Sequence, residues 1–308
     1  MDRRRAPAAL LAFASAVLIA GALTGCGGVA AGAAAGNTVR VVAAENFWGS
    51  IARQIGGGRV TVRSIIVNPA QDPHSYEPTS NDARAMATAQ LAIVNAVGYD
   101  PWAPKLLAAN PVSDRQVLTV GSLFGLQEGD NPHRWYDPPE VESVAGAIAR
   151  ALIRLDPKHA AYYTQRLGAF ESRGLAGYHA LIARIRQRYG GVPVGASESI
   201  FALLAPALGL RLVTPASFMK AISEGNDVTA GDTAAAQRQI TDHQIKVWVY
   251  NSQNVTPEIQ RLTSLARAQH IPVATVTETL SPPTASFEQW QVRQLQGIEA
   301  ALHQATGR

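Results

Sequence analysis

The chain has 308 residues, 47% of them hydrophobic and 16% charged, which excludes intrinsic disorder and leaves room for about two domains around a large core. Its formal charge is +4, but three of the 27 basic residues and one of the 23 acidic ones fall within the first five positions, leaving 24 against 22 over the rest. With so small an excess, and with no basic stripe interleaved with aromatics, nucleic acid is excluded as a partner.

Taken in chain order, Arg3, Arg4 and Arg5 precede an alanine-rich apolar run from Ala8 to Ala22 that ends in Leu23-Thr24-Gly25-Cys26. A basic start, a short apolar middle and small residues before a cleavage point predict a secretory signal over 1–25. The Leu-Thr-Gly-Cys ending resembles the bacterial lipobox, which implies that Cys26 is lipidated and heads the mature chain. The alternative, a signal-anchor helix with an incidental cysteine, suits the short apolar run less well. Cys26 is the only cysteine, so an internal disulfide and a thiolate metal cluster are both excluded. Residues 26–37 are nearly all Gly, Ala and Val, without charge or periodicity, as befits a lipid-anchored tether. No later apolar run is long enough to span a bilayer. The expected location is the extracytoplasmic face of the cell membrane.

The mature part reads as two similar α/β lobes, 38–156 and 190–308, joined by one long helix over 157–189. In the first lobe a β-rich run, Val39 to Ala43, leads through Ala44-Glu45 into a helix-period segment carrying Ile51, Ala52 and Ile55 and stopped by Gly56. Further strands are predicted at Ser64 to Val67, at Leu91 to Val94 with Asn95 after it, and at Val117 to Val120. From Pro157 to Tyr189 no interior proline occurs, and Ala161, Leu167, Phe170, Leu175, Leu181 and Ile185 keep a helical spacing, with Gly168, Gly174 and Gly177 marking bends. Unbroken, such a helix extends about 50 Å and acts as a rigid strut that permits only small lobe movements. The second lobe repeats the first at an offset of 153: Ser197-Glu198 falls over Ala44-Glu45, and Leu204, Ala205, Leu208 and Gly209 fall over Ile51, Ala52, Ile55 and Gly56. Its strands include Val192 to Gly195, Val247 to Val249 with Asn251 following, and Val273 to Val276. Strands alternating with helices predict two mostly parallel four-stranded sheets, each covered by helices.

In open parallel sheets, ligands bind beyond the carboxyl ends of the strands. Four residues stand out there. His74 lies in a proline-framed loop after the second strand, His133 in another after the fourth, and Glu198 and Glu278 follow the first and fourth strands of the second lobe. Two imidazoles and two carboxylates, divided between the lobes, suit one divalent transition metal. Taken singly, each has a plainer reading, since a loop histidine usually caps or faces solvent. Glu45, the repeat counterpart of Glu198, fits equally a helix-start carboxylate and a place in the same cleft, either accepting a hydrogen bond beside the metal or serving as a fifth ligand. His159, His179, His243, His270 and His303 are expected at the surface.

The segments Gln71-Asp-Pro-His-Ser-Tyr-Glu-Pro78, Asn131-Pro-His-Arg-Trp-Tyr-Asp-Pro138 and Thr275-Val-Thr-Glu-Thr-Leu280 resemble the zinc- and manganese-specific solute-binding proteins of ABC transporters, cluster A-I, over about residues 38 to 303. The resemblance implies His74 as first ligand, His133 as second, and Glu198 at a third position where many zinc members carry histidine, a pattern closer to the manganese and iron branch. It implies an acid after the last strand as the fourth ligand. Glu278 is the nearest match where aspartate is typical, so Asn251 and Glu45 remain alternatives for completing the shell. The segment Phe124 to Asn131 is short and lacks the His-rich loop of many zinc members. The cargo implied is zinc or manganese, with iron third. The implied partners are a membrane permease and its cytoplasmic ATPase, and the chain is expected to be a monomer and not an enzyme. A metallohydrolase is disfavoured because no His-Glu-x-x-His motif is present and four protein ligands leave no open position. A separate adhesive role has no support in the sequence.

Overall fold

The computed structural model describes residues 38–308, so the signal, Cys26 and the glycine-alanine tether lie outside the described residues. The first sheet contains β1 (Val39–Glu45), β2 (Val60–Ile66), β3 (Leu91–Val94) and β4 (Gln116–Thr119) in the order β2-β1-β3-β4, with every pairing parallel. The second contains β5 (Pro193–Ala196), β6 (Arg211–Leu212), β7 (Val247–Asn251) and β8 (Val273–Val276) in the order β6-β5-β7-β8, again parallel. The same order in both sheets accounts for the sequence repeat. The central strand β3 is buried along its whole length and β1 everywhere but Arg40, as in sheets covered by helices on both faces. Between β1 and β3, and between β5 and β7, chain order reverses, which opens a crevice at the strands' carboxyl ends.

Helices α1 (Asn46–Gly56), α2 (Ser80–Thr88), α3 (Trp102–Ala109) and α4 (Pro138–Leu155) belong to the first half of the chain. Left-handed Gly57, at φ 51°, closes α1 one residue later than the repeat predicts. The counterpart of α1 in the second half is only a 3-10 turn, Ser199–Ala202, and a four-residue helix, Leu204–Ala207. Pro206 explains the difference, because it lacks an N–H and its ring clashes with the carbonyl four residues back. The second strand starts at Val60 rather than Ser64. It is an edge strand whose first residues, Val60-Thr61-Val62-Arg63, alternate apolar and polar, with both valines half-buried against the core.

The connector is helical but is not one α-helix. A 3-10 turn, Pro157–His159, leads into α5 (Ala160–Ala169), a π-helical turn Phe170–Gly174, and α6 (Ala176–Tyr189). Gly174 marks the π-turn: a Cβ there would come 3.3 Å from the ring of buried Phe170, whereas Gly168 and Gly177 face open space. The second half continues with α7 (Ala216–Ser223), α8 (Ala230–Thr241), α9 (Pro257–Ala268) and α10 (Phe287–Thr306).

A second tie between the lobes was not legible in the sequence. The segment leading into α10 returns to α1: Leu280 N–H donates to Asn46 Oδ1 (3.1 Å), Phe287 N–H to Ser50 Oγ (3.0 Å), and Gln54 Nε2 to Glu288 Oε2 (2.8 Å). One continuous cluster of buried apolar side chains runs from β1 and α1 through the connector to β7 and α10. Close-packed interiors of this kind resist continuous deformation, so the lobes are tied by core as well as by covalent connection. Among the described residues, no helix is long and apolar enough to cross a membrane.

Candidate metal centre

His74 sits on a short 3-10 turn, Pro73–Ser75, that begins after the proline-rich loop from β2. Asp72 caps this turn, accepting from His74 N–H (2.9 Å) and Ser75 Oγ (2.9 Å), and Trp102 Nε1 donates to the Pro73 carbonyl (3.1 Å). His74 Nδ1 lies 3.0 Å from the Gly98 carbonyl oxygen. A carbonyl can only accept, so Nδ1 carries the proton and Nε2 keeps its lone pair.

His133 reaches the same state by another route. Its Nδ1 lies 2.8 Å from Asn131 Oδ1. The Asn131 amide is fixed because its oxygen also accepts His133 N–H (3.1 Å) while its nitrogen donates to the Ser199 carbonyl (2.8 Å). His133 Nε2 is therefore also free. Burial, helped by the neighbouring His74 and Arg134, pushes the His133 pKa well below the ordinary range, so the imidazole is neutral.

The two carboxylates come from the second sheet. Asn251, at the end of β7, donates from its amide nitrogen to Glu198 Oε1 and Glu278 Oε1, 2.6 Å each, while its oxygen accepts Gln253 N–H (2.9 Å). Asn254 Nδ2 donates to Glu198 Oε2 (2.7 Å), and Tyr99 donates to Glu278 Oε2 (3.1 Å). Burial and the charge of Glu278 hold the Glu198 carboxyl well above the usual carboxylate range; burial likewise raises Glu278, against the opposing influence of His74 and Tyr99. Two buried acids beside the neutral imidazole of His133 are arranged to gain from a cation.

His133, Glu198 and Glu278 each offer a ligand atom within 4.8 Å of the others. His74 stands outside that trio on the solvent side of the cleft. Its ring meets Tyr99 edge-on at 5.0 Å, and His133 approaches Tyr99 at 5.8 Å. Two cavities, of about 570 and 210 Å³, open beside His74. Asn251 is a hydrogen-bond donor to both acids, and its side-chain oxygen is taken by Gln253 N–H. The other five histidines are held elsewhere: His159 by Asp156 (2.7 Å), His179 by Glu142 (3.0 Å), His303 by the Arg308 carbonyl, and His243 and His270 as left-handed residues following α8 and α9.

Glu45 is absent from the trio. It is fully buried, and among the described residues no N–H or O–H group donates to either oxygen. Its neighbour is the carboxyl of Asp100. Burial first, and that negative neighbour second, raise Glu45 well above the carboxylate range. The repeat explains the asymmetry: Glu278 stands two residues beyond β8, whereas Gly121 stands two beyond β4.

Tyr99, Asn254 and Asp100 were not singled out from the sequence. Tyr99 and Asp100 lie just beyond β3, where the strand-end rule that selected Asn95 also reaches them. Their loop is strained. Ala96 (φ 63°), Val97 (φ 59°) and Gly98 (φ 74°) are consecutively left-handed. For the two non-glycine residues this costs about 1–2 kcal/mol each, and a β-branched residue is a rare occupant.

Residues 41–301 match the family profile described as zinc-uptake complex component A, periplasmic, ZnuA. The iron-binding protein YfeA of Yersinia pestis is 28% identical over 185 residues, covering 56% of this chain and 58% of that protein. The manganese-binding lipoprotein MntA of Halalkalibacterium halodurans is 29% identical over 160 residues, covering 50% and 52%. The chain thus matches little more than half the length of these curated relatives. A solved structure of a Cd-bound periplasmic metal-binding protein from Candidatus Liberibacter asiaticus has a TM-score of 0.70 at 21% identity, covering 85% of this chain and 99% of that one, and shows the shared fold.

Proposed function

This chain belongs to the ZnuA family of periplasmic zinc-uptake components, and on that premise we propose that it is a binding protein that captures one divalent first-row metal between its lobes and delivers it to an ABC permease. The ligands assigned are His74 and His133 through Nε2, with Glu198 and Glu278 through carboxylate oxygen. The observation that carries this reading is the pair of Nδ1 anchors. Two histidines from different loops are each fixed by an oxygen acceptor in the tautomer that leaves Nε2 free, the arrangement metal-binding histidines use.

Two carboxylates opposite two imidazoles favour manganese or iron as cargo, since hard oxygen donors suit those ions. The names of YfeA and MntA support the same choice. Zinc still competes, because the Irving–Williams order places it above manganese at most nitrogen and oxygen sites. The protein thus works by capture and release, with the permease and its ATPase drawing the ion onward, and it catalyses no reaction. Attachment through lipidated Cys26, on the extracytoplasmic face of the membrane, completes the proposal, as does a monomeric state. Elemental analysis of protein purified without added metal, followed by competition titrations of manganese, iron and zinc, tests it; a chain that binds none of them sinks it.

A further inference from the structure

We propose, resting on the functional reading above, that Asp100 is a positioning residue that sets metal affinity by holding the left-handed turn Ala96–Val97–Gly98 in shape. Asp100 is fully buried. Its Oδ2 accepts Asn95 N–H (2.8 Å) and its Oδ1 accepts Ala96 N–H (2.6 Å), at the entry to the turn. The turn delivers two groups to the centre. The Gly98 carbonyl fixes His74 Nδ1 (3.0 Å), and the adjoining Tyr99 hydroxyl fixes Glu278 Oε2 (3.1 Å). A single carboxylate therefore orients one ligand from each lobe.

One backbone bond closes the turn, Tyr99 N–H to the Ala96 carbonyl (3.1 Å), but it leaves the Asn95 and Ala96 N–H groups to Asp100. Ala96 and Val97 carry Cβ atoms that disfavour positive φ, and only Gly98 adopts it freely. Val97 is seated on Gly121, where a Cβ would come 2.3 Å from Val97 Cγ2, and Gly121 N–H donates to the Asn95 carbonyl (3.0 Å). That packing limits where Val97 can go, but it supplies no partner for the two N–H groups that Asp100 accepts. Without both acceptor oxygens the turn relaxes, and the Gly98 carbonyl and the Tyr99 ring leave their ligands.

The test uses the full chain with Co2+ as a visible-absorbing probe and Zn2+ as competitor. Asp100→Asn keeps the shape but replaces one acceptor by a donor. It should lower Co2+ affinity by about 10- to 100-fold and shift the Co2+ absorption bands, with far-UV circular dichroism unchanged. Adding Val97→Gly should restore at least part of the loss, because glycine takes positive φ without strain. Asp100→Asn with unaltered affinity and spectrum, or a loss that Val97→Gly does not relieve, would overturn the inference. If Asp100→Asn cannot be purified folded, the double variant measured against Val97→Gly alone makes the same comparison. A wild-type chain that binds neither Co2+ nor Zn2+ defeats the functional reading itself, and the inference with it, before any variant is examined.

Discussion

The hydroxyl of Tyr99, just beyond β3 in the first lobe, donates to Glu278, just beyond β8 in the second, across 3.1 Å and 179 positions of sequence. The same ring packs against His74 and His133. Tyr99 therefore holds the geometry of one carboxylate and fills the space between two imidazoles. Tyr99→Phe keeps the packing and loses the donor. Metal affinity should fall on the order of tenfold, with thermal stability of the metal-free protein nearly unchanged, as read by competition titration and melting.

Removing a ligand is a larger change. His74→Ala and His133→Ala should each weaken binding by more than about 100-fold, since the remaining carboxylates lose their balancing donors. His133, fully buried, should also cost stability, whereas half-exposed His74 should cost little. His243→Ala should bind as wild type. Calorimetry that found His243→Ala as damaging as His74→Ala would move the centre elsewhere.

The pH dependence has opposite signs for binding and for folding. Glu198 and Glu278 titrate above the ordinary carboxylate value of 4.5, and a proton on either competes with a cation. Affinity should therefore fall as pH drops through those raised values, while depressed His133 stays neutral and does not compete. For the metal-free fold, carboxyls whose pKa is raised by folding, including Glu45, contribute stability that is complete below the unfolded value and is lost as pH rises through the folded values. Depressed His133 contributes the opposite slope below the ordinary histidine value of 6.5, so the window that isolates the acids lies above it: melting curves in chelator from about pH 6.5 to about 8 should show Tm falling with pH, and the stabilisation by added metal growing. A metal-free Tm that rises across that window contradicts the buried, protonated acids.

Part of this was legible in the sequence. Strands β3 and β8 carry compact apolar runs bounded by turn residues, and both were placed to the residue. The strand-end rule and the family motifs reached His133, Glu198 and Glu278 because each follows a strand directly or through a stiff proline loop. The early part of β2 was readable as the apolar-polar alternation Val60-Thr61-Val62-Arg63, and passing over it left the strand short at its start. The π-turn at Phe170 was not foreseeable, because it depends on how that ring packs. The pairing of Glu45 with Asp100, and the bridging of two acids by Asn251, join residues 55 and 27 or more positions apart, respectively, and only the folded chain brings them together.

In the proposed ligand set, Glu198 is the position expected to decide metal preference. Glu198→His would supply a third imidazole in place of a hard carboxylate, and selectivity for zinc over manganese should rise by at least about tenfold. The partners Asn251 and Asn254 lose their acceptor in this variant, so a modest drop in stability accompanies it. Competition between Mn2+ and Zn2+ on wild type and variant measures the shift; an unchanged ratio removes Glu198 from the ligand set.

Attachment is separable from capture. Cys26→Ala should abolish lipid labelling and release the protein from the membrane fraction, while metal affinity stays that of wild type because both lobes are untouched. Retention in the membrane with undiminished labelling argues against the lipobox.

The most direct test of the whole account is X-ray absorption spectroscopy on wild-type protein loaded with one equivalent of manganese or zinc. The account predicts one ion per chain, bound by two imidazole nitrogens with the remaining ligands oxygen, and loss of one imidazole from the spectrum in His74→Ala. A spectrum with three imidazoles, with none, or unchanged by His74→Ala would contradict it.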